Sequence, residues 1–262
     1  MKAGFLQFAP RRADLEGNLR RLLELLSGAT DALVVAPELA LSGYLFRDEK
    51  ELRSLALRPD DRRLQPLYHL LASRNLHLVV GFPEAAGDGV YNSALLAGPR
   101  GLLAVYRKLH LFDREKLYFR PGGAPPPVVE AAGARLGLMI CYDWFFPETA
   151  RWLCRHGAQI ICHPANLVLP WCLDAMRTRS LENRLFSITA NRTGSETLAS
   201  LRLDFYGRSQ LLDPDGERLL AAGAAEETLL LAELDPSRAD RKALTGRNPG
   251  PDEARLDVLA PD

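Results

Sequence analysis

The feature that most constrains this chain is an alternation: short, continuous apolar runs recur along its length with helical patterns between them. Such runs, rich in aliphatic side chains and bounded by turn residues, read as strands buried on both faces. Lys2–Phe8, Ala32–Ala36, Leu76–Phe82, Ala134–Ile140, Gln159–Cys162, Phe186–Ala190 and Thr228–Leu234 fit this description. Between them, Leu15–Leu26 carries leucines at helical spacing, and Gln65–Ser73, Pro147–His156 and Leu173–Arg184 read as further helices. Proline at the start of the first and second of these three favours the first helical turn. Ser93–Gly98 with Leu102–Tyr106, and Ser209–Leu212 with Arg218–Leu220, flank strong turn signals and predict hairpins. Strands alternating with helices specify an α/β layered domain. The hairpins exclude an all-parallel sheet and favour a mixed sheet, or two packed sheets with helices outside. The expectation is a single domain over 1–262, with its core in about 1–240 and a polar tail in 241–262 that Asn248-Pro249-Gly250-Pro251 keeps free of regular structure.

Charge removes several functions. Lys plus Arg total 33 and Asp plus Glu total 33, so the basic surplus expected of a nucleic-acid binder is missing. No run approaches the ~20 apolar residues of a membrane helix. The four cysteines, at 141, 154, 162 and 172, have no Cys-x-x-Cys pair, and His69, His77, His110, His156 and His163 show no ligand spacing. The expectation is therefore a reduced, cytoplasmic protein with no metal or other cofactor, no nucleic-acid partner and no membrane partner.

Three segments place a reactive side chain just past an apolar strand, where catalytic groups gather in α/β folds. In Val34-Val35-Ala36-Pro37-Glu38, a carboxylate follows a buried strand among apolar neighbours; a general base needs such a setting, and a loop glutamate would look the same. In Tyr106-Arg107-Lys108-Leu109-His110, a lysine could stabilise an oxyanion, although a surface Arg-Lys pair reads identically. In Met139-Ile140-Cys141-Tyr142-Asp143 a strand runs straight into Cys141, and a helix opens at Pro147. That strand–turn–helix context suits an exposed nucleophile. A buried structural cysteine is the competing reading, and the one that fits Cys154, Cys162 and Cys172. A Cys–His dyad with His110 or His163 remains open, with nothing in the sequence to orient either ring.

Taken together, Pro-Glu-x-x-Leu-x-Gly-Tyr from Pro37, Tyr-Arg-Lys-x-His-Leu-Phe from Tyr106 and Cys-Tyr-Asp-x-x-Phe-Pro-Glu from Cys141 resemble the nitrilase superfamily of carbon–nitrogen hydrolases, in the family's order and over nearly the whole chain. The resemblance is greatest to small thermophilic nitrilases and aliphatic amidases. It implies a four-layer α-β-β-α sandwich and a Glu38-Lys108-Cys141 triad, with Glu115 as the family's second glutamate. It further implies hydrolysis of a small nitrile or linear amide through a Cys141 thioester. Leu181–Arg184 and Ala190–Arg192 match the family's dimer-side helix and strand, which implies a homodimer or higher homo-oligomer. Tyr44, Tyr142, Trp144, Phe145, Asn166 and Trp171 are the expected pocket residues, each aromatic having core packing as its alternative. The competing functions are a catalytically silent binding or scaffold domain on the same fold and an acyltransferase of the superfamily, many of which carry membrane segments.

Overall fold

The computed structural model describes residues 1–255; the last part of the expected tail, 256–262, lies outside the described residues. Its strands, in chain order, are β1 (Lys2–Gln7), β2 (Ala32–Val35), β3 (His77–Ala86), β4 (Gly89–Gly98), β5 (Gly101–Arg107), β6 (Val128–Ala131), β7 (Ala134–Leu138), β8 (Ile160–Ala165), β9 (Phe186–Asn191), β10 (Ser195–Leu198), β11 (Leu201–Asp204), β12 (Gln210–Leu212), β13 (Arg218–Ala221) and β14 (Thr228–Glu233). The helices are α1 (Leu15–Leu26), α2 (Glu49–Leu55), α3 (Gln65–Arg74), α4 (Pro147–Arg155) and α5 (Cys172–Asn183).

Two six-stranded sheets form, in the orders β14-β1-β2-β3-β4-β5 and β13-β12-β9-β8-β7-β6, and β10-β11 makes a separate hairpin. Each sheet is parallel at its centre and antiparallel towards its edges. Both hairpins expected from turn chemistry are present, as β4–β5 and β12–β13.

The strands are apolar on both faces because each sheet is covered twice. In β2, Leu33 and Val35 join the core between the sheets with Phe5, Leu136, Leu138 and Ile188. Val34, one residue out of phase, joins Leu19, Leu22 and Leu26 of α1 and Leu67 and Leu71 of α3 on the outer face. On the second sheet, Leu153 of α4 and Met176 of α5 pack over the far side. The layers therefore run helix, sheet, sheet, helix, a four-layer α-β-β-α sandwich. Each fully buried leucine in these layers contributes ~1.5–3 kcal/mol relative to exposure.

The differences from the sequence reading are short elements. Helix α2 was not expected; Asp48 caps it by accepting from Glu51 N–H, and its seven residues are too few to show a period. Strands β6, β10 and β11 were also missed, each only four residues long. The tail is not wholly irregular: Pro251–Glu253 forms a 3-10 turn, and just before the tail Pro236–Asp240 forms another, opened by proline and by Asp235 accepting from Ser237 N–H. No helix among the described residues is long and apolar enough to cross a membrane.

Candidate active site

The three expected segments converge at one end of the sandwich. Glu38 sits in the turn after β2, held against β3 by bonds from Gly81 N–H to Pro37 O at 3.0 Å and from Ala40 N–H to Gly81 O at 2.9 Å. Lys108 directly follows β5 and is tied to β4 by its N–H to Asn92 O at 2.9 Å. Glu115 lies in a 3-10 turn over Asp113–Leu117, and its Oε2 accepts from Phe112 N–H at 3.2 Å. Cys141 opens a 3-10 turn over Cys141–Phe145, and α4 follows at once from Pro147.

These groups form one buried cluster. Lys108 Nζ donates to Glu38 Oε1 at 2.7 Å and to Glu115 Oε1 at 2.8 Å, with Lys108 and Glu38 wholly inaccessible to solvent. Asn92 Nδ2 also donates to Glu38 Oε1, at 2.7 Å. Glu38 Oε2 is buried with no hydrogen-bond partner. The Tyr44 hydroxyl donates to Glu115 Oε1 at 2.6 Å. Burial alone would lower the Lys108 ammonium, but Glu115 and Glu38 outweigh it and hold it above the ordinary lysine value. Burial pushes the Glu115 carboxyl up, against the pull of Lys108. Burial likewise pushes the Cys141 thiol well above its ordinary value, with Glu38 adding to the rise and Lys108 opposing it. Cys141 thus rests as a thiol, and to act as a nucleophile it would need a base beside it.

The turn that presents Cys141 is strained and over-determined. Cys141 has φ 38°, in the left-handed region, which costs a non-glycine residue ~1–2 kcal/mol. Asp143, fully buried, holds it: Oδ2 accepts from Ile140 N–H at 3.0 Å and from the Tyr106 hydroxyl at 2.8 Å. Its Oδ1 accepts from His110 N–H at 3.1 Å and from His110 Nδ1 at 2.7 Å, joining the cysteine turn to the lysine loop. His163 Nε2 donates to Cys141 O at 3.0 Å, and Thr189 Oγ1 lies 3.1 Å from Nδ1, so one tautomer satisfies both contacts. Burial lowers that imidazole to about 4, and it stays neutral near pH 7. Neither histidine reaches the thiol: His110 serves Asp143 and His163 the backbone, so the Cys–His alternative has no geometric support. Tyr142 N–H precedes the first bond of the turn, from Asp143 N–H to Ile140 O, and is one of its unclaimed donors.

Beside Cys141 opens a cavity of about 150 Å³ lined by Phe112, Tyr142, Trp144, Phe145, Asn166, Leu167, Val168, Leu169 and Trp171. Five of the six expected pocket residues line it: Tyr142, Trp144, Phe145, Asn166 and Trp171. Tyr44 does not; it stands behind, holding Glu115. Cys154, Cys162 and Cys172 are buried elsewhere in the core, and all four cysteines are free.

Sequence reasoning missed Asn92 and the role of Asp143, although Asp143 lay within a recognised segment. It also missed a buried pair, Arg192 with Glu196, that secures Tyr44. Glu196 accepts from Tyr44 N–H at 2.9 Å and from Leu45 N–H at 2.8 Å, while Arg192 donates to Pro10 O at 2.8 Å. No local signal separates these two from surface charges.

The sequence model of the carbon–nitrogen hydrolase family matches residues 2–243. The chain belongs to the carbon–nitrogen hydrolase family. A nitrilase from Pyrococcus abyssi is 38% identical over 239 residues, 90% of this hydrolase and 90% of that protein. An (R)-stereoselective amidase from Pseudomonas sp. is 34% identical over 249 residues, covering 92% and 88%. Among solved structures, the amidase from Nesterenkonia sp. superposes with a TM-score of 0.78 at 28% identity, covering 92% of each chain. A variant of the same amidase, with the acetamide moiety of fluoroacetamide covalently added at its active-site cysteine, superposes at 0.80 with 25% identity, covering 99% and 95%. The molecule is thus an enzyme, and its two large sheets match the nitrilase-superfamily architecture.

Proposed function

We propose that this hydrolase converts a small nitrile or linear amide to a carboxylic acid and ammonia through a thioester on Cys141. The observation that carries the reading is Glu38. Its Oε1 is saturated by Lys108 and Asn92, while Oε2 is buried and unpaired. An orphaned carboxylate oxygen inside a protein is costly, and it is the group a thiol or water could hand a proton to. Glu38 takes the Cys141 proton as sulfur bonds to the substrate carbon. The charge that develops on oxygen or nitrogen is met by Lys108 and Tyr142 N–H. For an amide, the carbon–nitrogen bond breaks as Glu38 returns the proton to the departing ammonia; for a nitrile, thiol addition gives a thioimidate, and a first water adds to it before ammonia leaves and the thioester remains. Glu38 then deprotonates the water that cleaves the thioester, and the proton returns to sulfur. Glu115 keeps Lys108 charged and placed. Tyr142, Trp144, Phe145 and Asn166 form the substrate-binding wall; Tyr44 acts through Glu115.

The names of the relatives, nitrilase and amidase, and the modified cysteine of the superposed amidase support the same chemistry. We further propose a cytoplasmic homodimer or higher homo-oligomer: the four free cysteines suit a reduced compartment, and Trp152 of α4 and Leu181 of α5 stay exposed for a partner copy. Ammonia release from a panel of small nitriles and amides tests the mechanism. Cys141→Ala abolishes it, and Lys108→Ala and Glu38→Gln each reduce it at least ~100-fold. Release that survives in Cys141→Ala contradicts the reading.

A further inference from the structure

We propose that Asn166 reads a second carboxamide on the substrate, so that the preferred acyl group is short and ends in a planar group able both to donate and to accept hydrogen bonds. The inference rests on the cysteine hydrolase reading above and narrows its substrate.

Asn166 is 2% exposed, and both its Oδ1 and its Nδ2 are buried without a partner. Among the described residues no other side chain has two such atoms. Buried amides are almost always paired, so a doubly orphaned one calls for an explanation. The fold is capable of satisfying an asparagine here. Asn191, opposite Ala165 in the β8–β9 register, accepts from Leu167 N–H at 2.8 Å and donates to Gly207 O at 2.7 Å. That arrangement fixes the backbone around Asn166 and leaves its side chain unclaimed.

Asn166 also lies on the wall of the Cys141 cavity. The wall around it is aliphatic or aromatic: Trp144, Phe145, Leu167, Val168 and Leu169. A site of this kind orients its ligand by its few polar groups. At about 150 Å³ the cavity holds the volume of about five waters, enough for an acyl chain of a few heavy atoms. A carboxamide on that chain pairs with Asn166 through two parallel hydrogen bonds and satisfies both atoms. A carboxylate could serve only Nδ2 and would bring a negative charge towards Glu38 and Glu115. An alkyl group would leave both atoms unpaired.

The test compares isosteric substrates on the wild-type enzyme by kcat/KM for ammonia release: malonamide with isovaleramide, succinamide with isocaproamide, and cyanoacetamide with isovaleronitrile. In at least one pair the carboxamide-bearing member is favoured ~10-fold or more, because the alkyl isostere strands two buried polar atoms. Asn166→Leu, close in shape, brings that ratio to about one, read as the ratio within the variant whatever its absolute rate. Equal rates within all three pairs in the wild type overturn the inference, even if the variant fails to fold. So does a preference that persists in Asn166→Leu, which would mean that ordered water or another group serves these atoms. Monoamide turnover that depends on Cys141 but shows no preference removes this inference alone. No turnover of any compound, with Cys141 unmodified, removes the underlying reading as well.

Discussion

Gly81→Ala offers a sharp test of how the fold places the general base. Gly81 lies in the middle of β3, directly across from the turn that carries Glu38. A Cβ built there would stand 2.4 Å from Leu39 N, 2.5 Å from Glu38 Cα and 2.7 Å from Glu38 C, where ordinary contact begins at 3.4 Å. All three are backbone atoms, so no side chain can swing away; the turn must retreat by roughly 1 Å, the gap between 2.4 and 3.4 Å. The Glu38–Lys108 bond is 2.7 Å long and would not survive that retreat. A misplacement of ~1 Å at a reacting group costs ~100-fold in rate. Overpacking a tight site costs ~1–3 kcal/mol, which lowers Tm by about 2–12 °C in a domain of this size. The assay is kcat/KM for ammonia release together with thermal unfolding. Gly87→Ala is the control: a Cβ there meets nothing within 4 Å, so activity is kept and stability is unchanged or raised by up to ~1 kcal/mol. Wild-type activity and Tm in Gly81→Ala would refute the argument that β3 fixes the base.

Two further outcomes follow from the same contacts. Tyr44→Phe removes one hydrogen bond to Glu115 and leaves the ring contact with Phe205, so kcat falls about 3- to 30-fold with little change in Tm; unchanged kcat would show that Glu115 does not depend on Tyr44. His163 gives a pH signature. Its buried imidazole titrates near about 4, against 6.5 for an exposed one, so the unfolded chain binds the extra proton between those values. Stability is complete above pH 6.5 and declines as pH falls towards 4, by ~3 kcal/mol from this group. Denaturant unfolding at both ends of that window should show a shallower loss in His163→Gln; an identical slope would contradict the assignment.

The alternation of strands and helices was legible because the strands are buried twice over; the four-layer order came from the family resemblance. Leu33 and Val35 face the core between the sheets and Val34 faces the outer helices, yet all must be apolar, and a continuous run advertises that. Glu38, Lys108 and Cys141 drew notice because each sits at the end of such a strand, but only the resemblance of their three motifs, in the family's order, set them apart from surface or structural residues. What the sequence could not display were partnerships across distance. Asn92 reaches Glu38, Asp143 reaches Tyr106 and His110, and Glu196 reaches Tyr44, and nothing beside any of these residues announces the partner. Short elements such as α2 and β10 were hidden for a different reason: four to seven residues do not complete enough of a period to be seen. Asn166 was placed on the pocket wall from its neighbours, but its unpaired amide is visible only once the surroundings are in place.

The central claim is that Cys141 carries the acyl group while Glu38 moves the proton. It is tested most directly by quenching the wild-type enzyme during turnover of a small amide or nitrile and mapping the added mass by peptide mass spectrometry, with Glu38→Gln as the variant in which the increment falls. The account predicts an acyl or imidoyl increment on the peptide containing Cys141, and none on those containing Cys154, Cys162 or Cys172. An increment on another cysteine, or steady ammonia release at the wild-type rate with Cys141 unmodified, would contradict it.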